Sequence, residues 1–113
     1  MRIKRGDIYL ELNADIYSKA GTGKPVLVIQ NDIANQYAPT TIVAAISSQV
    51  PKAKLPTRIR LSQKNFGLTN DSIILLEQIR TVDKNLLREK IGSVDEETML
   101  KVSDALMISQ GIK

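Results

Sequence analysis

The sequence predicts a mainly β domain, an all-β barrel or an α+β arrangement, with one helix at its C-terminal end. Three observations lead there. The apolar runs are short, four to six residues, and each ends in turn-forming residues. Only the stretch after Asp95 keeps helical spacing over several turns. The chain has 113 residues, enough for one ordinary core, so one domain over 1–113 is expected.

Taken in order, Gly6-Asp7 precedes a strand in which Ile8, Leu10 and Leu12 alternate with Tyr9 and Glu11, the pattern of a half-buried strand. Residues 13–23 read as a loop with Gly21 and Gly23 near its end. Val26 to Ile29 is a continuous branched run, which suits a central strand covered on both faces. Asn31-Asp32 then offers a cap, Ile33 to Gln36 a helical turn, and Pro39 its end. Thr41 to Ile46 is a second buried strand that stops at Ser47-Ser48. A proline-flanked basic loop, Val50 to Pro56, leads to a strand over Thr57–Leu61 with Arg58 and Arg60 outward. After a turn region at Asn65–Asp71, Ser72 to Leu76 is a third apolar strand, continuing through Glu77-Gln78-Ile79-Arg80. Leu86-Leu87 sit in a short turn or helix, and Lys90 to Val94 form a last strand. The final helix opens on acidic Asp95-Glu96-Glu97, which suits the positive end of its dipole. Ser93 with Glu96 fits a capping box, Asp95 being the alternative cap, and Gly111 is the stop. The stripe Met99, Val102, Leu106 and Ser109 reads as core or dimer interface rather than a cofactor groove.

Composition narrows the chemistry. Hydrophobic residues make up 42% and charged residues 25%, a globular composition. There is no cysteine and no histidine, which excludes disulfides, thiol nucleophiles, imidazole- or thiolate-bound zinc and the Ser-His-Asp arrangement. No metal or other cofactor is expected. The basic start Met1-Arg2-Ile3-Lys4-Arg5 is followed by no apolar signal segment, and no run approaches the roughly 18 residues a membrane span needs, so a cytoplasmic setting is expected. Residues 1–70 hold ten Lys and Arg against four Asp and Glu, whereas residues 71–113 hold six against eight. A basic first part with an acidic tail points to a polyanion-facing surface, or to an ordinary solvated basic face. Within it, Lys24-Pro25 pins a cation at the mouth of the Val26–Ile29 strand, just after the glycine-spaced loop.

Four separated motifs, "KRGDIYL", "KPVLVIQND", "PTTIVAAISSQVPKAKLPT" and "DSIILLEQIRTVDK", occur in an order that resembles the MazF/PemK/Kid family of toxin endoribonucleases from toxin–antitoxin pairs. The similarity extends over nearly the whole chain, including the "KVSDALMISQGI" tail. It implies a CcdB/Kid/MazF-like fold: an SH3-like small barrel of bent antiparallel strands with a C-terminal helix. It also implies a homodimer that cuts single-stranded RNA at short specific sequences without a metal, leaving a 2′,3′-cyclic phosphate and a 5′-hydroxyl. A cognate antitoxin protein would neutralise it by lying along the RNA-binding face. Carried over by position, the catalytic set falls on Lys24, Ser47 and Glu77. Typical members have arginine and threonine at the first two positions, and the flap "YSKAGTGKP" also departs from the family pattern. A scaffold that has lost efficient cutting and serves as an RNA- or antitoxin-binding module is therefore the alternative. The related gyrase-poisoning toxins act through aromatic and acidic C-terminal residues, which the ending Gln110-Gly111-Ile112-Lys113 lacks.

RNA cleaves itself when its 2′-hydroxyl loses a proton, the phosphorane charge is stabilised and the 5′-oxygen is protonated. Lys24 is the natural cation for the phosphorane. Ser47 either donates to a phosphate oxygen or bonds its own turn. Glu77, at the end of a buried run, is either a base with a raised pKa or a salt-bridge partner of Arg58 or Arg80. The expected RNA-contacting set adds Tyr17, Ser18 and Lys19 in the flap; Gln30 and Asn31, which read a base edge or cap the turn; Lys52, Lys54 and Arg58 along the backbone; Leu55-Pro56-Thr57 as a base pocket; and Gln78 with Arg80. The Met99, Val102, Leu106 stripe is expected to supply apolar surface beyond the needs of a small barrel, which a homodimer would cover.

Overall fold

The computed structural model describes residues 2–12, 23–49, 54–62, 66–68 and 70–113. Six strands form one antiparallel sheet: β1 (Asp7–Glu11), β2 (Lys24–Val28), β3 (Thr40–Ser47), β4 (Arg58–Leu61), β5 (Ser72–Asp83) and β6 (Leu87–Ser93). Their order across the sheet is β4-β5-β3-β2-β1-β6. Helix α1 (Asp32–Tyr37) links β2 to β3, a short 3-10 turn (Lys84–Leu86) links β5 to β6, and α2 (Glu96–Ser109) closes the chain.

Each apolar run became a strand because the sheet offers cover on both faces. One face packs Ile8, Leu27, Ala44, Ile46, Ile74 and Leu76 against Met99, Val102 and Ala105 of α2. The other gathers Ile3, Tyr9, Val26, Val28, Val43, Val82 and Leu87. β1 departs from the half-buried expectation for this reason: Ile8 and Tyr9 are both buried although they point to opposite faces, and Leu12 is 40% exposed. The helix stripe is mostly core within the chain: Val102 is fully enclosed, Met99 is buried, and Leu106 packs partly buried against them. The apolar side chains that α2 does leave outward are Leu100 and Met107. Asp95 is the N-cap, accepting from the Thr98 N–H at 2.8 Å, and that bond holds its carboxyl below the ordinary value. The Ser93 hydroxyl donates to Asp7 at 3.1 Å instead of closing a capping box.

The sheet is open among the described residues, with β4 and β6 at its ends, and it curls strongly. Ala44 faces Ile79 while the next residue, Ala45, faces Leu75, so Leu76–Gln78 are extra on β5. Such a bulge bends its strand and tightens the twist. The curl brings Phe66, beyond β4, onto β6: a Cβ on Gly92 would stand 2.0 Å from the Phe66 carbonyl oxygen, so only glycine fits there. The N-terminal stretch is anchored too. Arg5 donates from Nε to the Ile29 carbonyl at 3.0 Å and from Nη2 to Ser103 Oγ at 2.9 Å, tying the chain start to α2.

Candidate active site

β2 begins at Lys24, and Gly23 is what allows it to. A Cβ on Gly23 would lie 2.6 Å from the Glu11 carbonyl oxygen, so glycine lets the chain press onto β1 there. Lys24 then pairs with Glu11 across β1–β2. On its other side β2 runs against β3 with Val26 opposite Ala45 and Leu27 opposite Ala44. Continuing that register sets Lys24 opposite Ser47, with Cα atoms about 4.5–5.5 Å apart. Two residues 23 positions apart in the chain thus become neighbours on one face.

Both line an open groove of about 840 Å³. Its far wall comes from β4 and β5, where Arg58 and Gln78 stand, and Ser48, Gln49, Asn70, Ser72 and Leu75 also line it. Arg58 is three strands from Lys24, roughly 14 Å along the sheet. The described lining carries two cations, three amide side chains and no carboxylate. That is a surface for an anion bearing hydrogen-bonding edges.

The Lys24 side chain is exposed and has no ion-pair or hydrogen-bond partner among the described residues. Ser47 Oγ accepts the Gln49 backbone N–H at 3.1 Å. This is the turn-serine arrangement, and it leaves the hydroxyl proton for a second partner. The bond fixes the oxygen at the groove wall while keeping the donor available.

Glu77 differs from the raised-pKa expectation. Its carboxylate accepts from Arg58 Nε at 2.9 Å and from the Thr57 hydroxyl at 3.1 Å. Burial pushes the carboxyl up, but the bonds from Arg58, from its own backbone N–H and from Thr57, with the Arg58 charge, outweigh that and hold it below the ordinary value. The reason is the bulge: it turns Glu77 toward β4 rather than into an apolar pocket. Arg80 likewise has its fork occupied. Its two Nη groups reach the two Glu11 carboxylate oxygens, Nη1 at 2.6 Å from Oε2. The Glu11 bond holds the guanidinium above its ordinary value against desolvation.

Gln30 and Asn31 lie beyond the other end of β2, roughly 20 Å from Lys24 along the strand. Asn31 caps α1 by accepting the Ala34 N–H at 2.8 Å, and Gln30 donates to Asn35 and to the Thr40 carbonyl. Both are therefore occupied locally rather than at the groove. Leu55-Pro56-Thr57 form the turn into β4, closed by the Arg58 N–H to the Leu55 carbonyl at 3.1 Å, with Lys54 just before it; none of the four is in the groove lining. Tyr17, Ser18, Lys19 and Lys52 fall outside the described residues. Sequence reasoning missed Ser48, Gln49, Asn70 and Ser72. Their one signal is position: Ser48, Gln49 and Asn70 sit in the turns flanking β3 and β5, the strands that carry Ser47 and Gln78, and Ser72 opens β5.

A bent antiparallel sheet with a C-terminal helix, and a basic groove across the β2–β3 strand ends, define a small toxin-like β domain. The sequence places it in a family: PemK-like, MazF-like toxins of type II toxin–antitoxin systems match residues 4–109, and the chain belongs to that family. It is 54% identical over 110 residues to the endoribonuclease EndoA of Bacillus subtilis (strain 168), covering 96% of this chain and 95% of that protein. Among solved structures, an endoribonuclease from a mycobacterial species in complex with its cognate antitoxin superposes with a TM-score of 0.78 at 22% identity, covering 98% of this chain and 97% of that one. A MazE–MazF structure from Deinococcus radiodurans gives a TM-score of 0.77 at 13% identity, covering 100% of both chains. These two share the fold. Among the described residues no helix is long and apolar enough to cross a membrane, and no three Asp or Glu side chains converge as a metal-binding group would.

Proposed function

We propose that the protein is a sequence-specific, metal-independent endoribonuclease toxin acting on single-stranded RNA in the cytoplasm, as one toxin unit over 1–113. The observation that carries this reading is the juxtaposition of Lys24 and Ser47 on neighbouring strand ends, at the head of a groove whose described lining has cations and amides but no acid. The groove's contribution is electrostatic. Lys24 stands ready for the charge that builds on the phosphorane, and the Ser47 hydroxyl for a hydrogen bond to a phosphate oxygen. Attack of the 2′-oxygen on phosphorus, with departure of the 5′-oxygen, gives the 2′,3′-cyclic phosphate and 5′-hydroxyl. Gln49, Asn70 and Gln78 supply donors and acceptors for base edges, which gives sequence preference, and Arg58 with Lys54 follows the backbone. A homodimer and a cognate antitoxin protein that covers the groove complete the proposal. Family membership and 54% identity to EndoA support it.

The test is cleavage of a long RNA in EDTA, with mapping of new 5′ ends and detection of the cyclic phosphate. Lys24→Ala should slow single-turnover cleavage by roughly a hundred- to a thousandfold, the loss seen when one oxyanion donor is removed. Cleavage at unchanged speed in Lys24→Ala refutes the clamp. Binding of RNA without any cleavage favours the binding module instead. Sedimentation at micromolar concentration tests the dimer, and a monomer alone removes it.

A further inference from the structure

Glu11 raises a question that the cleavage reading leaves open. It is a carboxylate only 7% exposed, on β1, directly opposite the lysine that the groove depends on. Facing residues on antiparallel strands have Cβ atoms about 4.5–5.5 Å apart, well within the reach of a lysine and a glutamate for each other. A buried carboxylate needs a countercharge, so Glu11 and Lys24 would ordinarily pair. Such a pair would draw the ammonium down onto the sheet and out of the groove.

The structure shows a different partner. Arg80 reaches Glu11 from β5, 69 positions away in the chain, and takes both of its oxygens through two Nη groups. On a flat sheet β5 and β1 stand roughly 14 Å apart, about the full stretch of the two side chains laid end to end. The curl introduced by the Leu76–Gln78 bulge closes that gap. We propose that Arg80 is a positioning residue for cleavage: by occupying Glu11 it keeps the Lys24 ammonium out of a Glu11 ion pair and available to the phosphate. The fork matters, because a guanidinium engages both carboxylate oxygens at once and neutralises the charge, so a competing lysine has less to gain from pairing with Glu11. Among the described residues, the charged groups that bear on Lys24 are then Glu11 from β1, Arg80 from β5 and Arg58 on the far wall from β4; β3 contributes none.

The consequence for rate rests on the cleavage reading above, but the ion-pair exchange does not. The decisive experiment is an NMR titration of the Lys24 side chain in protein carrying carbon-13 lysine, the resonance assigned by its loss in Lys24→Arg. Arg80→Gln should raise the Lys24 titration midpoint, since a lysine that gains an anionic partner holds its proton more tightly. Cleavage should fall by about tenfold or more, because the clamp is diverted rather than deleted. Adding Glu11→Gln to Arg80→Gln should return both midpoint and rate toward wild type. Arg80→Lys, which folds with a countercharge still in place, should lie between. A lost structural anchor would lower the melting temperature but leave the Lys24 midpoint in place. An unchanged midpoint in both Arg80 variants overturns the proposal, and so does a double variant as slow as Arg80→Gln alone. If the wild-type protein cuts no RNA, the nuclease reading fails on its own, and the midpoint still decides the exchange.

Discussion

Glu77→Gln separates a base from an anchor by magnitude. The structure gives Glu77 two donors, Arg58 and Thr57, and a carboxyl held below its ordinary value of 4.5. Such a group is ionised throughout the neutral range. Its pairing with Arg58 is partly exposed, the side chains being 21% and 30% accessible for Arg58 and Glu77. Pairs of that kind are worth about 0.2–1 kcal/mol. If all of that were lost from the transition state, the rate would fall by no more than about fivefold. A general base, by contrast, contributes about 10²–10⁴. Glu77→Gln should therefore cut within about fivefold of wild type, and its pH profile should run parallel to wild type between pH 5 and 9. The assay is single-turnover cleavage of one mapped site across that range. The pairing also fixes a stability sign. A depressed carboxyl stabilises the fold above its unfolded value, and that contribution is lost as pH falls through the folded value. The melting-temperature gap between wild type and Glu77→Gln should therefore close below about pH 4.5, the ordinary value. A hundredfold rate loss together with a vanished acidic limb would show that Glu77 takes the proton after all.

Lys24→Arg should match or exceed the wild-type rate, because the fork adds a second charge-assisted bond; a large loss would mean that the ammonium's own chemistry is required. Ser47→Thr should change little and Ser47→Ala should slow cleavage with an unaltered melting curve, since Ser47 lies at the groove rather than in the core. Gly23→Ala forces a Cβ to 2.6 Å from the Glu11 carbonyl oxygen and should destabilise by about 1–3 kcal/mol in urea titration, a neutral result arguing against the close β1–β2 approach. Lys54→Ala should flatten the salt dependence of RNA binding by up to roughly one unit of slope, and an affinity indifferent to salt would remove the polyanion partner.

What was legible in the sequence was whatever depends on near neighbours. Val26–Ile29 and Thr41–Ile46 announced themselves as strands because a short branched run between turn residues has little other use, and both lie in the middle of the sheet. The start of β5 at Ser72 was legible because its apolar half follows turn residues, but the strand runs on past the expected Arg80 to Asp83 because β3 pairs with it as far as Thr40. What was not legible depends on which strand lies next to which. β1 reads as a strand with one wet face until β2 and β6 flank it and Arg80 arrives to neutralise Glu11. Glu77 reads as a carboxylate following an apolar run, and only the bulge shows that it turns toward Arg58. The nearness of Lys24 and Ser47 came from motif resemblance, and the β2–β3 register supplies its physical cause.

The same long-range pairing gives the groove its sign. Among the described residues, Glu11 stands beside Lys24 and Glu77 behind Arg58. Left alone, either would set a negative charge next to the place where a phosphate must sit. Each is instead taken by an arginine from another strand, Glu11 by Arg80 and Glu77 by Arg58. The two pairs serve different ends. Arg80 spends both Nη groups on Glu11, so that pair is neutral, with the carboxylate buried and the guanidinium half-exposed. Arg58 bonds Glu77 through Nε and also lines the groove. The two walls of the groove thus carry different cations. A point-like ammonium stands beside a hydroxyl at one wall, and a fork braced by a carboxylate stands at the other, roughly 14 Å away along the sheet. In the proposed cleavage reading, a lysine in the clamp position suffices because the planar recognition of phosphate or base that arginine does best is assigned to the opposite wall.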